Sequence, residues 1–350
     1  MNLKNIRFRF TKKQIFNYLK YKLTKNKKVF LRYRPLWLSI YVSDICNLKC
    51  KMCPHHSNDE NEFVYQKHLI TDKMVSCETL EKIYKKFPEA YLVMFAGVGE
   101  PLTNMKFKEL VELTSKYKKK FNIVTNGTLL NYELCKNLLS NKYLNQISIS
   151  LNASNPKEYS EICNVQENKF FDVVKNIRTL VTLKKQLKSQ AEIVVSGVCY
   201  NEFLDSSKQF LTFCDELGVD RIDLHRYIDF DIKNKLTDID DFSEGLNELY
   251  SYKKKHIKTN VNLPHKISAN SYKKRCEWFF KNLSFDSNGN IGSCGRVMSP
   301  SAEYGNIEDN NDIWNNKYMV EMRKKVLDAS DEVSKYCLKC VENHVEAQNE

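Results

Sequence analysis

The sequence lacks any long hydrophobic run. None of its apolar stretches reaches the roughly 18 residues that a membrane-spanning helix needs, and the first residues show no apolar core followed by a small-residue cleavage site. We therefore expect a cytoplasmic protein whose twelve cysteines are reduced thiols for metal binding or catalysis, not a disulfide frame. A hydrophobic content of 42% with 12% aromatics indicates a chain that folds around a buried core.

Acidic residues are absent from residues 1–36, which contain twelve Lys or Arg. The rest of the chain holds 43 basic and 43 acidic residues, so its charge gives no reason to expect nucleic-acid binding. In the basic segment Ile15, Phe16, Leu19 and Leu23 recur at helical spacing, and four lysines lie elsewhere on the wheel: Lys12, Lys13, Lys20 and Lys22. Two interpretations stay open, a helix on the anionic inner face of a membrane or a helix that packs its apolar stripe on the domain.

From residue 37 onward, β-rich runs alternate with helical patterns. Six strands are predicted, at 36–42, 91–95, 122–125, 146–151, 192–198 and 221–227. Helices are predicted between them at 77–86, 104–119, 132–139, 171–187 and 204–217, and a further one at 242–255. Repeated strand–helix units connect parallel strands through right-handed crossovers, and six of them make a partial barrel.

The predicted fold is therefore α/β and has three parts. A basic helical extension covers residues 1–36, a partial (β/α)6 barrel covers 37–265, and a small hairpin-and-helix domain covers 266–350. Active sites of parallel α/β folds gather at the carboxyl ends of the strands, so functional residues should follow each predicted strand.

Three cysteines lie in a short loop directly after the first predicted strand. Cys46, Cys50 and Cys53 are spaced x3 and x2, which is close enough for all three to reach one metal centre. A cubane iron–sulfur cluster is normally held by four thiolates, so three would leave one iron with an open position for chemistry. A zinc site is the alternative, with His55 or His56 as the fourth ligand.

This cysteine pattern after a first strand resembles the radical S-adenosylmethionine (radical SAM) enzymes. The resemblance implies a [4Fe–4S] cluster whose open iron binds the amino and carboxylate groups of SAM, which is then split to a 5′-deoxyadenosyl radical. It also implies that SAM is bound by residues that follow successive strands: Met52, Gly97, Gly99, Glu100, Pro101, Thr125, Asn126, Ser150, Asn152 and Asn201. Within this set Glu100 corresponds to the acidic residue that holds the SAM amino group in the family, whereas Met52 also fits plain loop packing.

A second set of four cysteines lies in the last quarter of the sequence: Cys276, Cys294, Cys337 and Cys340. Between the first two, two short β runs meet at Gly289, which predicts a hairpin. Four thiolates complete a [4Fe–4S] cage with no vacancy, although a structural zinc would also accept them. The order of landmarks, with Trp314 and Arg323, resembles the SPASM and twitch extensions of radical SAM enzymes. Because only four cysteines are present, one auxiliary cluster of the twitch type is predicted.

The reaction expected from this resemblance is a hydrogen abstraction followed by one of two outcomes. The auxiliary cluster can accept an electron, which oxidises an alcohol to a ketone, or a thiol such as Cys199 can return a hydrogen atom, which gives an epimerase. A reductase or flavodoxin-type protein is the expected electron donor, and the oligomeric state is not predicted.

The sequence favours a small carbohydrate-like substrate, namely a sugar, aminocyclitol or nucleotide sugar. Peptide-modifying relatives commonly carry a longer recognition domain, whereas only 36 residues precede the first strand here. A maturase that modifies a peptide or protein is the alternative. A non-catalytic, zinc-stabilised binding protein is the alternative from another class.

Overall fold

The computed structural model describes residues 10–24, 28–53, 55–57, 73–199, 204–226, 242–264, 276–292, 294 and 300–328. The chain divides into two compact units. The first unit consists of Met1–Cys46, Leu69–Ile123 and Arg275–Leu338. The second unit consists of Asn47–His68, Val124–Lys274 and Lys339–Glu350. The predicted domain boundaries at residues 36 and 265 stay a prediction.

Helices and strands alternate through most of the described chain. The helices are α1 (Lys12–Leu23), α2 (Cys77–Lys86), α3 (Phe107–Lys116), α4 (Tyr132–Ser140), α5 (Pro156–Cys163), α6 (Asn168–Leu187), α7 (Leu204–Leu217), α8 (Phe242–His256), α9 (Trp278–Lys281) and α10 (Lys317–Leu327). The strands are β1 (Trp37–Tyr41), β2 (Leu92–Ala96), β3 (Lys120–Thr125), β4 (Leu144–Ser150), β5 (Glu192–Cys199), β6 (Arg221–Arg226), β7 (Asn260–Asn262), β8 (Asn282–Phe285), β9 (Asn290–Gly292) and β10 (Ser301–Asn306).

In the first unit the strands lie in the order β10-β9-β8-β1-β2-β3. Strand β1 pairs in parallel with β2 on one side and with β8 on the other, so that Trp37 stands opposite both Leu92 and Asn282. Strands β8 and β9 form the predicted antiparallel hairpin. Four consecutive residues of β1 are buried, and this pattern does not reveal which strand pairs with it on this side, so the pairing with β8 is not predicted. The C-terminal hairpin thus extends the sheet that begins with β1.

In the second unit the strands β4-β5-β6-β7 are all parallel and lie in chain order. Ile147 and Ile149 of β4 and Val195 of β5 are fully buried, as expected for strands covered on both faces. Helices connect these strands, as the alternating pattern predicts. The predicted α/β class is confirmed.

Most predicted elements are present with small shifts at their ends. All six predicted strands exist, and α2 and α7 have the predicted bounds. Helix α3 is shorter than predicted, because a 3₁₀ turn at Pro101–Thr103 precedes it and Lys118 adopts a left-handed conformation after it. Helix α5 and strand β7 are not predicted, because both are short and α5 buries only Tyr159 and Cys163.

Helix α1 forms where the sequence predicts it, but it packs differently. Gln14 and Asn17 are its buried residues, whereas Phe16, Leu19 and Leu23 are exposed by 61%, 51% and 83%. Of the two interpretations left open, the one in which α1 packs its apolar stripe on the domain is therefore wrong for Phe16, Leu19 and Leu23, whereas Ile15 is half-buried. Within the described residues, no helix has the length and apolar character needed to cross a membrane.

Candidate functional site

A glycine-containing loop after β2 lies directly against the backbone that leads to Cys46. A Cβ atom at Gly97, where φ is +146°, would lie 2.9 Å from Cα of Tyr41. A Cβ atom at Gly99 would lie 2.2 Å from the carbonyl oxygen of Ile45. The amide N–H of Glu100 donates to that same oxygen over 2.9 Å. These two predicted glycines are needed because a side chain at either position would collide with the backbone.

The predicted acidic residue of this loop, Glu100, is buried at 3% exposure. Its Oε1 accepts the N–H of Leu102 at 3.1 Å and so caps the 3₁₀ turn in which Pro101 is the first residue. The hydroxyl of Thr103 donates to the Glu100 carbonyl oxygen at 2.7 Å. A carboxylate that is buried and fixed in this way is suited to receive a cationic group such as an ammonium.

In the second unit the cysteine loop is held by the loop that follows β3. The Asn126 side chain donates to Oδ1 of Asn47 at 2.8 Å, and the Asn47 side chain donates to Oγ1 of Thr128 at 2.7 Å. The buried Thr125 hydroxyl accepts the N–H of Gly127 at 3.1 Å and shapes the turn. The predicted residues Thr125 and Asn126 therefore position the segment between the first two cysteines.

Cys50 and Cys53 also lie in the second unit, and each has a defined thiol environment. The sulfur of Cys53 accepts the N–H of His56 at 3.3 Å, a contact of the kind that supports a thiolate ligand. Cys50 is hydrogen-bonded to the thiol of Cys163, which ends α5. The sequence gives no sign of this second contact, because Cys163 belongs to neither of the two predicted cysteine sets.

The pKa values of both thiols are raised above their usual range. For Cys50 the largest cause is the hydrogen bond with Cys163, followed by burial. For Cys53 the cause is burial, which the backbone N–H groups of His55, His56 and Ser57 offset in part. Both groups are therefore protonated thiols at neutral pH in this state, and a metal that bound them would have to displace their protons.

The donor set of this loop fits an iron–sulfur cluster in its chemistry. Three cysteines within eight residues, one of them with a backbone N–H directed at its sulfur, are typical thiolate ligands. In the described part of the chain, no three Cys, His, Asp or Glu side chains are grouped closely enough to hold a metal ion. To bind iron, Cys50 must exchange its hydrogen bond with Cys163 for a metal bond.

A cavity of about 270 Å³ lies at the carboxyl ends of β4 and β5 in the second unit. Lys51, Asn152, Glu158, Glu161, Gly197 and Phe210 are among the residues that line it. Asn152 is a predicted SAM contact; it has a φ of +62°, and its Oδ1 accepts the N–H of Val198 at 3.2 Å. Glu158 and Glu161 are not predicted, because they lie on α5. Lys51 is also not predicted as a site residue, although its position between Cys50 and Cys53 in the sequence indicates one.

The C-terminal cysteines are described only in part. Cys294 is buried and close enough to Tyr41 to contribute, after burial as the main cause, to the raised pKa of that phenol. It therefore lies near the end of β1 in the first unit. Cys276 is half-buried. Cys337, Cys340 and Asn201 lie outside the described residues.

The remaining predicted residues have simple positions. Met52 is half-buried in the cysteine loop, and Ser150 is half-buried at the end of β4. Cys199 is the last residue of β5, and its side chain is not among those that the structure describes.

The landmarks Trp314 and Arg323 have a structural role in the first unit. Arg323 is fully buried and donates to the carbonyl oxygens of Val29, Phe279 and Trp314. Its guanidinium carbon lies 4.2 Å from the centre of the Trp314 ring. The Trp314 indole N–H donates to the carbonyl oxygen of Tyr33 at 2.8 Å. These residues fasten the segment before β1 to the C-terminal part of the chain.

Two family models match this chain. Residues 40–224 match the Radical SAM superfamily, and residues 276–341 match SPASM, an iron–sulfur cluster-binding domain. The first match implies SAM and a [4Fe–4S] cluster, and the second implies auxiliary iron–sulfur clusters. The second range includes all four C-terminal cysteines.

Solved structures share the fold. The structure of SuiB from Streptococcus suis has a TM-score of 0.66 at 19% identity and covers 95% of this chain and 81% of that chain. SuiB bound to the precursor peptide SuiA has a TM-score of 0.62. Native anSMEcpe with AdoMet and the Cp18Cys peptide has a TM-score of 0.64 at 20% identity and covers 89% of both chains.

A curated relative from Pyrococcus furiosus is the tungsten-containing aldehyde ferredoxin oxidoreductase cofactor-modifying protein. It is 33% identical over 105 residues, which are 29% of this chain and 27% of that protein. The chain spans about half or less of the length of the curated relatives it matches. The superfamily model nevertheless covers more than half of the chain. The chain belongs to the radical SAM superfamily and carries a SPASM iron–sulfur cluster-binding domain.

Proposed function

We propose that this protein uses SAM-derived radical chemistry to modify a peptide or protein. The observation that carries the proposal is the likeness to SuiB with its precursor peptide bound, which extends over 94% of this chain. The anSMEcpe structure, which also holds a peptide, supports the same substrate class. A carbohydrate-like substrate, which the sequence favours, has less support, because both of these structures were solved with peptides. Alcohol oxidation and epimerisation stay possible forms of the reaction.

The cysteine loop and the Glu100 loop would hold the cofactors. Cys46, Cys50 and Cys53 would bind the cluster, and the fixed carboxylate of Glu100 would receive the amino group of SAM. When bound, the cluster and SAM together supply a 5′-deoxyadenosyl radical that takes a hydrogen atom from the substrate. Asn126 and Asn47 keep the cysteine loop in place, whereas the Cys50 thiol must leave Cys163 before it can bind iron.

The cavity beside β4 and β5 is a candidate for part of the SAM site. Its lining combines an amide from Asn152, a lysine and two glutamates with the apolar face of Phe210. Hydroxyl and amino groups of a nucleoside suit the polar residues, and a base suits the aromatic ring. Cys276, Cys294, Cys337 and Cys340 would hold one auxiliary cluster, which four thiolates saturate and which therefore suits electron transfer.

Iron and sulfide content tests the cofactor assignment. Anaerobically purified protein should carry about eight irons per chain if two [4Fe–4S] clusters are present. With SAM and a reductant, Cys53→Ala should abolish 5′-deoxyadenosine formation, whereas Cys340→Ala should retain part of it and lose substrate turnover. Cys135→Ala, a buried cysteine of α4, is the matched control and should keep its iron. Zinc without sulfide would overturn the enzyme assignment.

The substrate class is tested by a product screen. Peptides encoded next to this gene and a panel of nucleotide sugars are incubated separately with the reconstituted enzyme, SAM and reductant. A peptide substrate should raise 5′-deoxyadenosine formation and change in mass, and deuterium from the labelled peptide should appear in 5′-deoxyadenosine. Stimulation by a sugar alone, with no change in any peptide, would contradict the proposal.

A further inference from the structure

Helix α1 turns an apolar stripe towards solvent, and nothing in the radical chemistry uses it. Phe16, Leu19 and Leu23 follow each other at spacings of three and four residues and therefore lie on one face of the helix. Leu23 is the most exposed of the three, at 83%. An amphipathic helix of a folded domain normally buries such a stripe.

Polar contacts fix this orientation. The Gln14 side chain donates to the carbonyl oxygens of Ala90 and Lys118, each at 3.2 Å. The backbone N–H of Arg34 donates to Oδ1 of Asn17 at 2.7 Å, and Nδ2 of Asn17 donates to the Arg34 carbonyl oxygen at 3.0 Å. Gln14 and Asn17 are 1% and 3% exposed. Turning the stripe inward would break all four bonds and leave buried polar groups unsatisfied, so the stripe is held outward.

The same face of α1 is strongly basic. Lys13 and Lys20 lie on one side of the stripe at helical spacing, and Lys22 lies on the other. Lys12 lies in line with the stripe, one turn before Phe16, and all four lysines are exposed. Lys20 also lies 4.8 Å from the ring centre of Phe16. Residues 1–36 contain no acidic side chain that could neutralise this charge locally. The surface therefore combines three exposed apolar side chains with a positive border.

We propose that α1 docks the protein on an anionic lipid surface. In this arrangement Phe16, Leu19 and Leu23 enter the boundary between headgroups and acyl chains, and the lysines lie level with the lipid phosphates. An exposed apolar stripe with lysines on both sides fits a flat, deformable layer. A second copy of the chain is disfavoured as the occupant, because a twofold contact would place this lysine-rich face against itself.

The docking proposal is tested by sedimentation with vesicles. The reconstituted full-length protein should sediment with vesicles of phosphatidylcholine mixed with phosphatidylglycerol but not with vesicles of phosphatidylcholine alone, and added salt should weaken the binding. The double variant Phe16→Ser, Leu19→Ser should bind the anionic vesicles with an affinity that is lower by a factor of roughly ten or more. Replacing Lys12 and Lys20 by Gln should lower the affinity for anionic vesicles roughly fivefold for each lysine.

A matched control uses equally exposed aromatic residues elsewhere. Phe171 and Tyr132 are 60% and 54% exposed and lie on α6 and α4. The double variant Phe171→Ser, Tyr132→Ser should bind anionic vesicles as the unaltered protein does. Circular dichroism shows whether the α1 variant remains folded, and its rate of 5′-deoxyadenosine formation without vesicles should be unchanged.

Three results would overturn the docking proposal. The first is no sedimentation of the unaltered protein with anionic vesicles, which would leave an acidic protein as the candidate occupant. The second is a dimer, seen by sedimentation velocity without lipid, that the Phe16→Ser, Leu19→Ser variant dissolves. The third is equal loss of vesicle binding in the α1 variant and in the control variant. None of these readouts depends on which substrate the radical modifies.

Discussion

The Cβ position of Gly99 lies 2.2 Å from the carbonyl oxygen of Ile45, the residue that precedes the first cysteine of the loop. Real Cβ atoms do not approach a carbonyl oxygen so closely, so an alanine at this position must move one of the two backbones. This contact joins the acidic loop after β2 to the start of the cysteine loop within the first unit. A side chain at Gly99 should therefore separate the two loops. Cofactor binding should then fall by more than the loss of unfolding free energy alone would explain.

Gly99→Ala should weaken SAM binding and lower the iron content, and the clash should cost about 1–3 kcal/mol of unfolding free energy. Gly218→Ala is the control, because its left-handed φ of +71° makes it strained while the nearest atom to its Cβ is 3.9 Å away. The control should lose stability but keep its iron. Equal SAM binding in the two variants, measured by equilibrium dialysis, would contradict the role given to Gly99.

The hydrogen bond between Asn126 and Asn47 should show coupling in a double-mutant cycle. Asn126→Ala and Asn47→Ala each remove one end of the bond at 2.8 Å. We expect a coupling free energy of about 1 kcal/mol in thermal or denaturant unfolding. Both single variants should also raise the KM for SAM, because the cysteine loop is held less firmly. Additive effects on stability would show that the two side chains act independently.

Replacing Cys163 should speed cluster loading without changing the final iron content. In the described state Cys50 is hydrogen-bonded to the Cys163 thiol, and iron must displace that contact. Cys163→Ala should therefore take up iron and sulfide faster, as followed by the visible absorbance of the cluster. Cys135→Ala, another buried cysteine, should load at the normal rate. A lower final iron content in Cys163→Ala would instead identify Cys163 as a ligand.

Lys119 should make stability depend on pH above neutrality. Its ammonium group is buried and donates to the carbonyl oxygens of Phe87 and Ala90. Burial lowers its pKa to about 7, although the Glu89 carboxylate acts in the opposite sense. In the unfolded chain the pKa of Lys119 is near its usual 10.5. Between the two pKa values the unfolded chain therefore binds one proton more than the folded chain does. The free energy of unfolding should therefore rise with pH from about 7 to 10.

The control for this pH effect is the exposed Lys116. Lys119→Met should remove the rise in unfolding free energy with pH, whereas Lys116→Met should retain it. Denaturant unfolding at several pH values in this range measures both slopes. Identical slopes in the unaltered protein and in Lys119→Met would show that Lys119 keeps its proton throughout.

The sequence predicts the parallel core well because its signals are local. Strand β5 and helix α7 are recognised from apolar periodicity and from the polar residues between them, and α2 begins where Ser76 caps it. The hairpin between β8 and β9 is recognised from Asn288 and Gly289, whose turn chemistry is also local. These features depend on neighbours within a few residues along the chain.

The features that the sequence does not predict depend on distant contacts. The outward orientation of α1 follows from Gln14 and Asn17, whose partners at Ala90 and Arg34 cannot be read from helical periodicity. The contact of Cys163 with Cys50 depends on α5, whose 8 residues are too few for apolar periodicity to be recognised. In the candidate site, the residue types at Thr125, Asn126 and Glu100 are predicted, but their hydrogen-bond partners are not.

The pairing of β1 with β8 has a consequence for synthesis. The Ser39 hydroxyl of β1 is hydrogen-bonded to Asn282 of β8, and 243 residues separate the two. During synthesis β1 therefore leaves the ribosome long before β8 is made. The edge of β1 that pairs with β8 stays unpaired until then. Contacts between such distant segments form slowly. Chaperone dependence and the timing of iron delivery should accordingly be governed by the synthesis of β8 and the residues that follow it.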